Sequence, residues 1–122
     1  MTAMEAIAQA DRLRPNQYPP EDKMRWLLRL EKRIWKDILL HYDSDAPEPT
    51  GILETAADVE LTAEDPYDEM YIHWLCAQMS LYEEEYESFN AENAVFESVY
   101  GQFRNAYNRE HMPLSARKRY WA

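Results

Sequence analysis

The sequence predicts an all-α fold, a small bundle of about four helices. Three observations carry that prediction. Only two glycines occur in 122 residues, too few for the tight turns of an all-β chain. Apolar residues recur at i, i+3 and i+4 along successive stretches, as in helices buried on one side. Hydrophobic residues reach 46% and aromatics 13%, enough to build a core in a chain the length of one domain.

The first helix spans Thr2 to Leu13. Thr2 and Glu5 have the spacing of a capping box, and Met4, Ile7 and Ala8 keep helical spacing. Pro15 ends it, because the residue before a proline is pushed toward extended backbone. The second helix covers residues 20–42. Pro19 and Pro20 suit its start, and Glu21 and Asp22 suit the positive end of its dipole. Its apolar stripe is Met24, Leu27, Leu28, Ile34, Trp35, Ile38 and Tyr42, broken once by Glu31. Four residues beyond Glu31 stands Trp35, so Glu31 must reach neighbours on the Leu27 side or a partner chain. The opposite face collects Lys23, Arg25, Arg29, Lys32, Arg33 and Lys36.

Residues 43–65 break the periodicity with two prolines, one glycine and eight acidic residues. Loops of this length are uncommon inside a compact domain and are usually functional or mobile. Ile52, Leu53, Val59 and Leu61 are expected to pin the loop, and Val59–Thr62 to form a short strand. The third helix is predicted over 66–89. Asp65 caps it, Pro66 takes its first position, and Asp68 and Glu69 lie in its first turn. Tyr67, Met70, Tyr71, Trp74, Leu75, Gln78, Tyr82, Tyr86 and Phe89 form its stripe. The fourth helix is predicted over 91–111, capped by Asn90 or Asn93 and packed antiparallel to the third. Its stripe is Val95, Phe96, Val99, Phe103, Ala106 and Tyr107, and it stops near Pro113. Residues 1–113 therefore read as one helical domain. Residues 114–122 read as an extended, basic and aromatic docking tail, because Tyr120 and Trp121 call for an apolar partner.

Charge is segregated along the chain. Residues 1–36 carry eight basic and five acidic side chains, 37–103 seventeen acidic and no Lys or Arg, and 104–122 five basic and one acidic. The net charge of −10 argues against a simple duplex-DNA binder, which needs a basic footprint. A single cysteine, Cys76, allows no internal disulfide. The N-terminus lacks the apolar core of a secretory signal, and no run is long enough to span a bilayer, so a cytoplasmic, membrane-free protein is expected.

Candidate chemistry is thin. Glu69 and His73 share a helical face at metal-ligand spacing, but two ligands make no site, and a helix-start carboxylate beside a histidine is the simpler reading. Cys76 lies three residues after His73, yet no third orienting group accompanies the pair, and a buried cysteine acting as a small hydrophobe is expected. Glu83, Glu84, Glu85 and Glu87 read as a solvated acidic face, or one that meets a basic partner. There is no phosphate loop, dinucleotide fingerprint or zinc spacing, so neither a cofactor nor catalysis is expected.

Three blocks carry a resemblance. They are Asn16-Gln17-Tyr18 with Arg25-Trp26-Leu27, the Pro66-Tyr67-Asp68-Glu69-x-Tyr71-x-His73 block, and Tyr107-Asn108-Arg109-x-His111-Met112-Pro113. Over about Met4 to Pro113 the chain resembles the head–tail connector, or adaptor, proteins of tailed bacteriophages. The resemblance implies a mostly helical virion protein, assembled in the host cytoplasm, that binds beneath the portal protein. Copies would form a ring, usually dodecameric, that extends the DNA channel without specific DNA binding. The ring would offer a platform to the next connector, a stopper or a tail protein. A heterologous ring needs two different complementary patches per subunit. The basic second helix (Arg25, Arg29, Lys32, Arg33, Lys36) and the acidic residues Glu83, Glu84, Glu85 and Glu87 are the expected pair, with the acidic side or the 43–65 loop facing the lumen. Arg117, Lys118, Arg119, Tyr120 and Trp121 are expected to dock on the portal or on a neighbour. The alternatives are a nucleic-acid-binding packaging factor that uses the basic tail, and an assembly chaperone absent from the finished particle.

Overall fold

A computed structural model describes residues 1–50, 59–111, 113 and 114. Four α-helices are present: α1 (Ala3–Leu13), α2 (Pro20–Asp37), α3 (Glu69–Tyr82) and α4 (Tyr86–Glu110), with a 3-10 turn at Leu39–His41 after α2. No strand occurs among the described residues, so the fold is a small all-α bundle.

The first helix begins as its sequence dictates. Thr2 Oγ1 accepts the Glu5 N–H at 3.1 Å, and Arg14, held extended before Pro15, closes the helix with its N–H on the Ala10 carbonyl. Its buried face is Ala3, Ala6, Ile7 and Ala10, while Met4 and Ala8 point outward. That face differs from the expected one by a small rotation. Three alanines have no bulk to hold α1 away from α3, against which it packs.

Burial on α2 is wider than one stripe. Trp26 and Leu30 join Met24, Leu27, Leu28 and Ile34 in the core. The Trp26 ring stacks on Tyr82 at 5.4 Å, and its carbonyl accepts the Trp74 indole N–H at 2.8 Å. The α-helix ends at Asp37, five residues earlier than the periodicity predicts. Ile38 leaves helical geometry and the chain tightens into the 3-10 turn. Ile38 and Tyr42 both remain buried, and Tyr42 swings toward the end of α4, its hydroxyl bonded to Asn108. Both kinds of turn bury the same residues, so apolar spacing alone could not separate them.

The chain returns at residue 59 alongside the N-terminus. Ala3 N–H reaches the Val59 carbonyl at 2.9 Å, and Leu61 N–H the Met1 carbonyl at 3.0 Å. One antiparallel bridge, Thr2 to Glu60, stands where a short strand was expected. Val59 and Leu61 do pin this segment to the core, whereas Ile52 and Leu53 lie outside the described residues.

The main correction concerns the second half. Instead of helices over 66–89 and 91–111, the break falls at Glu83–Glu85. Turns occupy 65–68, with a cis peptide before Pro66, and α3 begins at Glu69 with Asp68 as its N-cap. Asp65 and Pro66 therefore do not cap or lead the helix. At the other end Glu85 N–H bonds the Ser80 carbonyl at 2.9 Å and Glu84 N–H the Leu81 carbonyl at 3.1 Å. This is a Schellman turn whose left-handed position, usually glycine, is filled by Glu84 at φ 60°. With no glycine to mark it, and Tyr82, Tyr86 and Phe89 continuing the helical spacing, the turn was hidden from the sequence. The three-residue turn makes α3 and α4 antiparallel. Trp74 against Phe96 (5.0 Å) fixes their register, and Tyr67, in the turn before α3, meets Phe103 of α4 at 6.0 Å. α3 is the centre of the bundle, with α1, α2 and α4 packed around it, and Met70–Ile72 and Leu75–Ser80 are all buried.

Candidate interaction surface

The basic residues of α2 divide into two groups. Arg25, Arg29, Lys32 and Lys36 are exposed and follow one another by four, three and four residues, making a row about 16 Å long at 1.5 Å per residue. Arg25 touches Asp22 at 3.2 Å, and Lys32 lies 4.0 Å from Glu48, both in water where such pairs hold weakly. Arg29 and Lys36 have no ion-pair partner among the described residues. Arg33 leaves the row. Its guanidinium lies 4.4 Å from the Tyr100 ring centre, 3.3 Å from Glu97 and 3.7 Å from Asp37, so it joins α2 to α4 within the chain. Lys23, also expected on the solvated face, is buried and held by Asp11 at 2.7 Å.

The acidic cluster is not a helix face. Glu83 and Glu85 sit on the α3–α4 turn and both accept from Arg14 Nη2, at 2.6 and 2.5 Å. Arg14 Nη1 donates to Ser88 Oγ at 3.1 Å. The turn is thus clamped to the end of α1 by one arginine, and only Glu84 and Glu87 stay free of ion pairs among the described residues. Beside the clamp, Tyr82 and Tyr86 are 57% and 59% exposed, and Leu13 and Leu81 add apolar surface.

The Glu31 break in the α2 stripe is explained by a buried network. Glu31 Oε2 accepts the Thr62 N–H at 3.1 Å and the Thr62 hydroxyl at 2.6 Å, while Oε1 accepts the Tyr71 hydroxyl at 2.5 Å. Tyr71 in turn accepts the Ala63 N–H at 2.9 Å. The carboxylate ties the returning segment to α2 and α3, and neither a Leu27-side neighbour nor a partner chain is needed to satisfy it. Burial pushes its pKa up, partly offset by the bonds from Thr62 and Tyr71.

The paired groups suspected of chemistry have structural surroundings. His73 Nδ1–H donates to Glu92 across the α3–α4 seam at 2.7 Å, and Glu69 is exposed a turn away. Among the described residues no group of three His, Cys, Asp or Glu side chains is placed to hold a metal ion. Cys76 is buried, and that burial pushes its thiol up to about 11. Among the described residues no helix is long and apolar enough to cross a membrane. The tail residues Arg117, Lys118, Arg119, Tyr120 and Trp121 lie outside the described residues.

The three blocks behind the resemblance are contact-making blocks. Asn16 accepts the Tyr18 N–H and donates to Asp11, and the Tyr18 ring meets the edge of Trp26 at 5.4 Å. Tyr67 of the second block meets Phe103, which lies 6.1 Å from Tyr107 of the third. Tyr107 then stacks on His111 at 3.8 Å. No protein-family model matches the chain, and no curated protein and no solved structure matches it either.

Proposed function

We propose that this chain is a structural connector of a tailed-bacteriophage particle, assembling as a ring on the portal protein and offering a platform to the next component. The observation that carries the reading is the exposed row Arg25, Arg29, Lys32 and Lys36 on a molecule of net charge −10. A strongly acidic protein that keeps one straight basic row exposed has a surface suited to an acidic neighbour, which includes another copy of itself. The resemblance of the three blocks adds to this. Their aromatic residues make packing contacts within the bundle, which suits a family united by a scaffold rather than by a catalytic site.

The patch pairing is revised by the geometry. Arg33, Glu83 and Glu85 are engaged within the chain, so the joint between copies falls to Arg25, Arg29, Lys32 and Lys36 on one side. Glu84 and Glu87, with the carboxylates of the acidic middle segment, take the other. Fixed negative charge left over on the ring would keep phosphates from adhering during DNA passage. The test is charge reversal of Arg29, Lys32 and Lys36 to glutamate, scored by electron microscopy of the protein mixed with portal rings. Rings should be lost while the helical circular dichroism spectrum is retained; rings formed as by wild type would refute the pairing.

A further inference from the structure

The end of the bundle where α3 begins and α4 ends holds a cleft of about 280 Å³ that neither the core nor the basic row uses. Its floor is aromatic, built by Tyr67, Phe103 and Tyr107. Its rim is acidic: Glu64, Asp65 and Glu110 all border it and are all exposed. None of the three has an ion-pair partner among the described residues. Carboxylates above ring faces form a receptor for guanidinium and ammonium groups, which bond the oxygens and are attracted by the rings. The same floor accepts further aromatic rings.

A segment with that chemistry starts at the cleft. Leu114 lines an adjoining pocket together with Tyr107 and His111, and both of those residues also line the cleft. The eight residues that follow are Ser-Ala-Arg-Lys-Arg-Tyr-Trp-Ala, with three cations, two aromatic rings and no carboxylate side chain. Extended, Arg117 reaches about 10 Å beyond Leu114 and the whole segment about 26 Å, at roughly 3.3 Å per residue. We propose that residues 115–122 dock into this cleft of their own molecule, the basic side chains on Glu64, Asp65 and Glu110 and the Tyr120 and Trp121 rings on the aromatic floor. The covalent tether favours the molecule's own cleft. A segment attached at the rim is present there at an effective concentration on the order of millimolar, far above that of a second copy in dilute solution. Docked in this way, the free chain covers its own basic aromatic segment, and any partner of that segment must compete with the cleft. The proposal concerns the isolated chain and stands apart from the connector reading.

Paramagnetic broadening in the full-length protein tests it. A nitroxide is placed on Ala122→Cys; the buried Cys76 thiol does not compete for the label. Amide signals of Glu64, Asp65, Tyr67 and Phe103 should broaden, and the broadening should persist when labelled chains are diluted into excess unlabelled, isotope-silent chain. In a second protein Arg117, Lys118 and Arg119 are all changed to glutamate, so the tether is kept and the charge reversed. There the broadening at these amides should fall away. Equal broadening in both proteins would mean that the tether alone produces it, and would overturn the proposal. So would broadening that vanishes on dilution, which would place the segment on a second copy.

Discussion

In Glu31→Ala the Tyr71 hydroxyl keeps its proton and loses its acceptor. Tyr71 is fully buried, so no water replaces the carboxylate there, whereas Thr62 is only half-buried and can turn to solvent. A buried donor left unpaired costs about 1–3 kcal/mol, and the one methylene removed along with the carboxylate adds roughly 0.8 kcal/mol. Removing a buried charge offsets part of this, leaving about 1–3 kcal/mol, a large share of a typical domain's ~5–15 kcal/mol. Urea unfolding followed by circular dichroism measures it. A cycle with Tyr71→Phe isolates the contact. The double variant should be less destabilised than the sum of the singles by about 1 kcal/mol or more, because each single change strands the other's partner. The direction with pH also follows. Burial raises the Glu31 pKa in the folded state, so the folded chain holds that proton more tightly than the unfolded chain does. Stability from protonated Glu31 is fully present below the ordinary carboxylate value of about 4.3 and is lost as pH rises through the raised value. Wild type should therefore lose ground to Glu31→Gln across that window. Additive singles, or a wild-type-minus-Gln difference flat with pH, would refute the network's role.

Other residues give independent checks. Glu84 occupies the left-handed position of the α3–α4 turn, so Glu84→Gly should stabilise by about 0.5–1 kcal/mol in the same urea assay. Raising the Cys76 thiol from 9.0 to about 11 lowers its thiolate fraction about 100-fold at neutral pH, before burial limits access. Iodoacetamide should accordingly modify the native chain far more slowly than the urea-unfolded chain. Arg14→Ala removes both ion pairs to the turn, and should cost about 1 kcal/mol and raise hydrogen exchange at Glu83 to Glu85.

Helix content, the Thr2 cap, the Pro15 stop and most of the α2 and α4 stripes were legible because spacing and capping are local. What escaped was decided by tertiary partners. Glu31 looked like a flaw in a stripe, and that polar break was the only trace of its network with Thr62 and Tyr71, thirty to forty residues away. Arg14 showed in the sequence only as the residue before Pro15, since its partners lie about seventy residues on. The Glu83–Glu85 turn carries no glycine, so a run of carboxylates read as a helix face when two of them belong to Arg14. Of the expected basic face, four residues stand exposed and Arg33 does not, because its ring partners, Phe96 and Tyr100, sit on a different helix. The cleft between Tyr67 and Tyr107 needed the antiparallel register of α3 and α4, which no single segment encodes.

The connector reading rests most directly on whether the chain decorates a portal. The measurement is cryo-electron microscopy of the wild-type protein mixed with the portal protein that the connector reading assigns to it as partner. The account predicts an added ring of density on the portal's tail-facing side, with one copy of this four-helix bundle per portal subunit. Portal rings left bare at protein concentrations that saturate neighbouring connector complexes would contradict it.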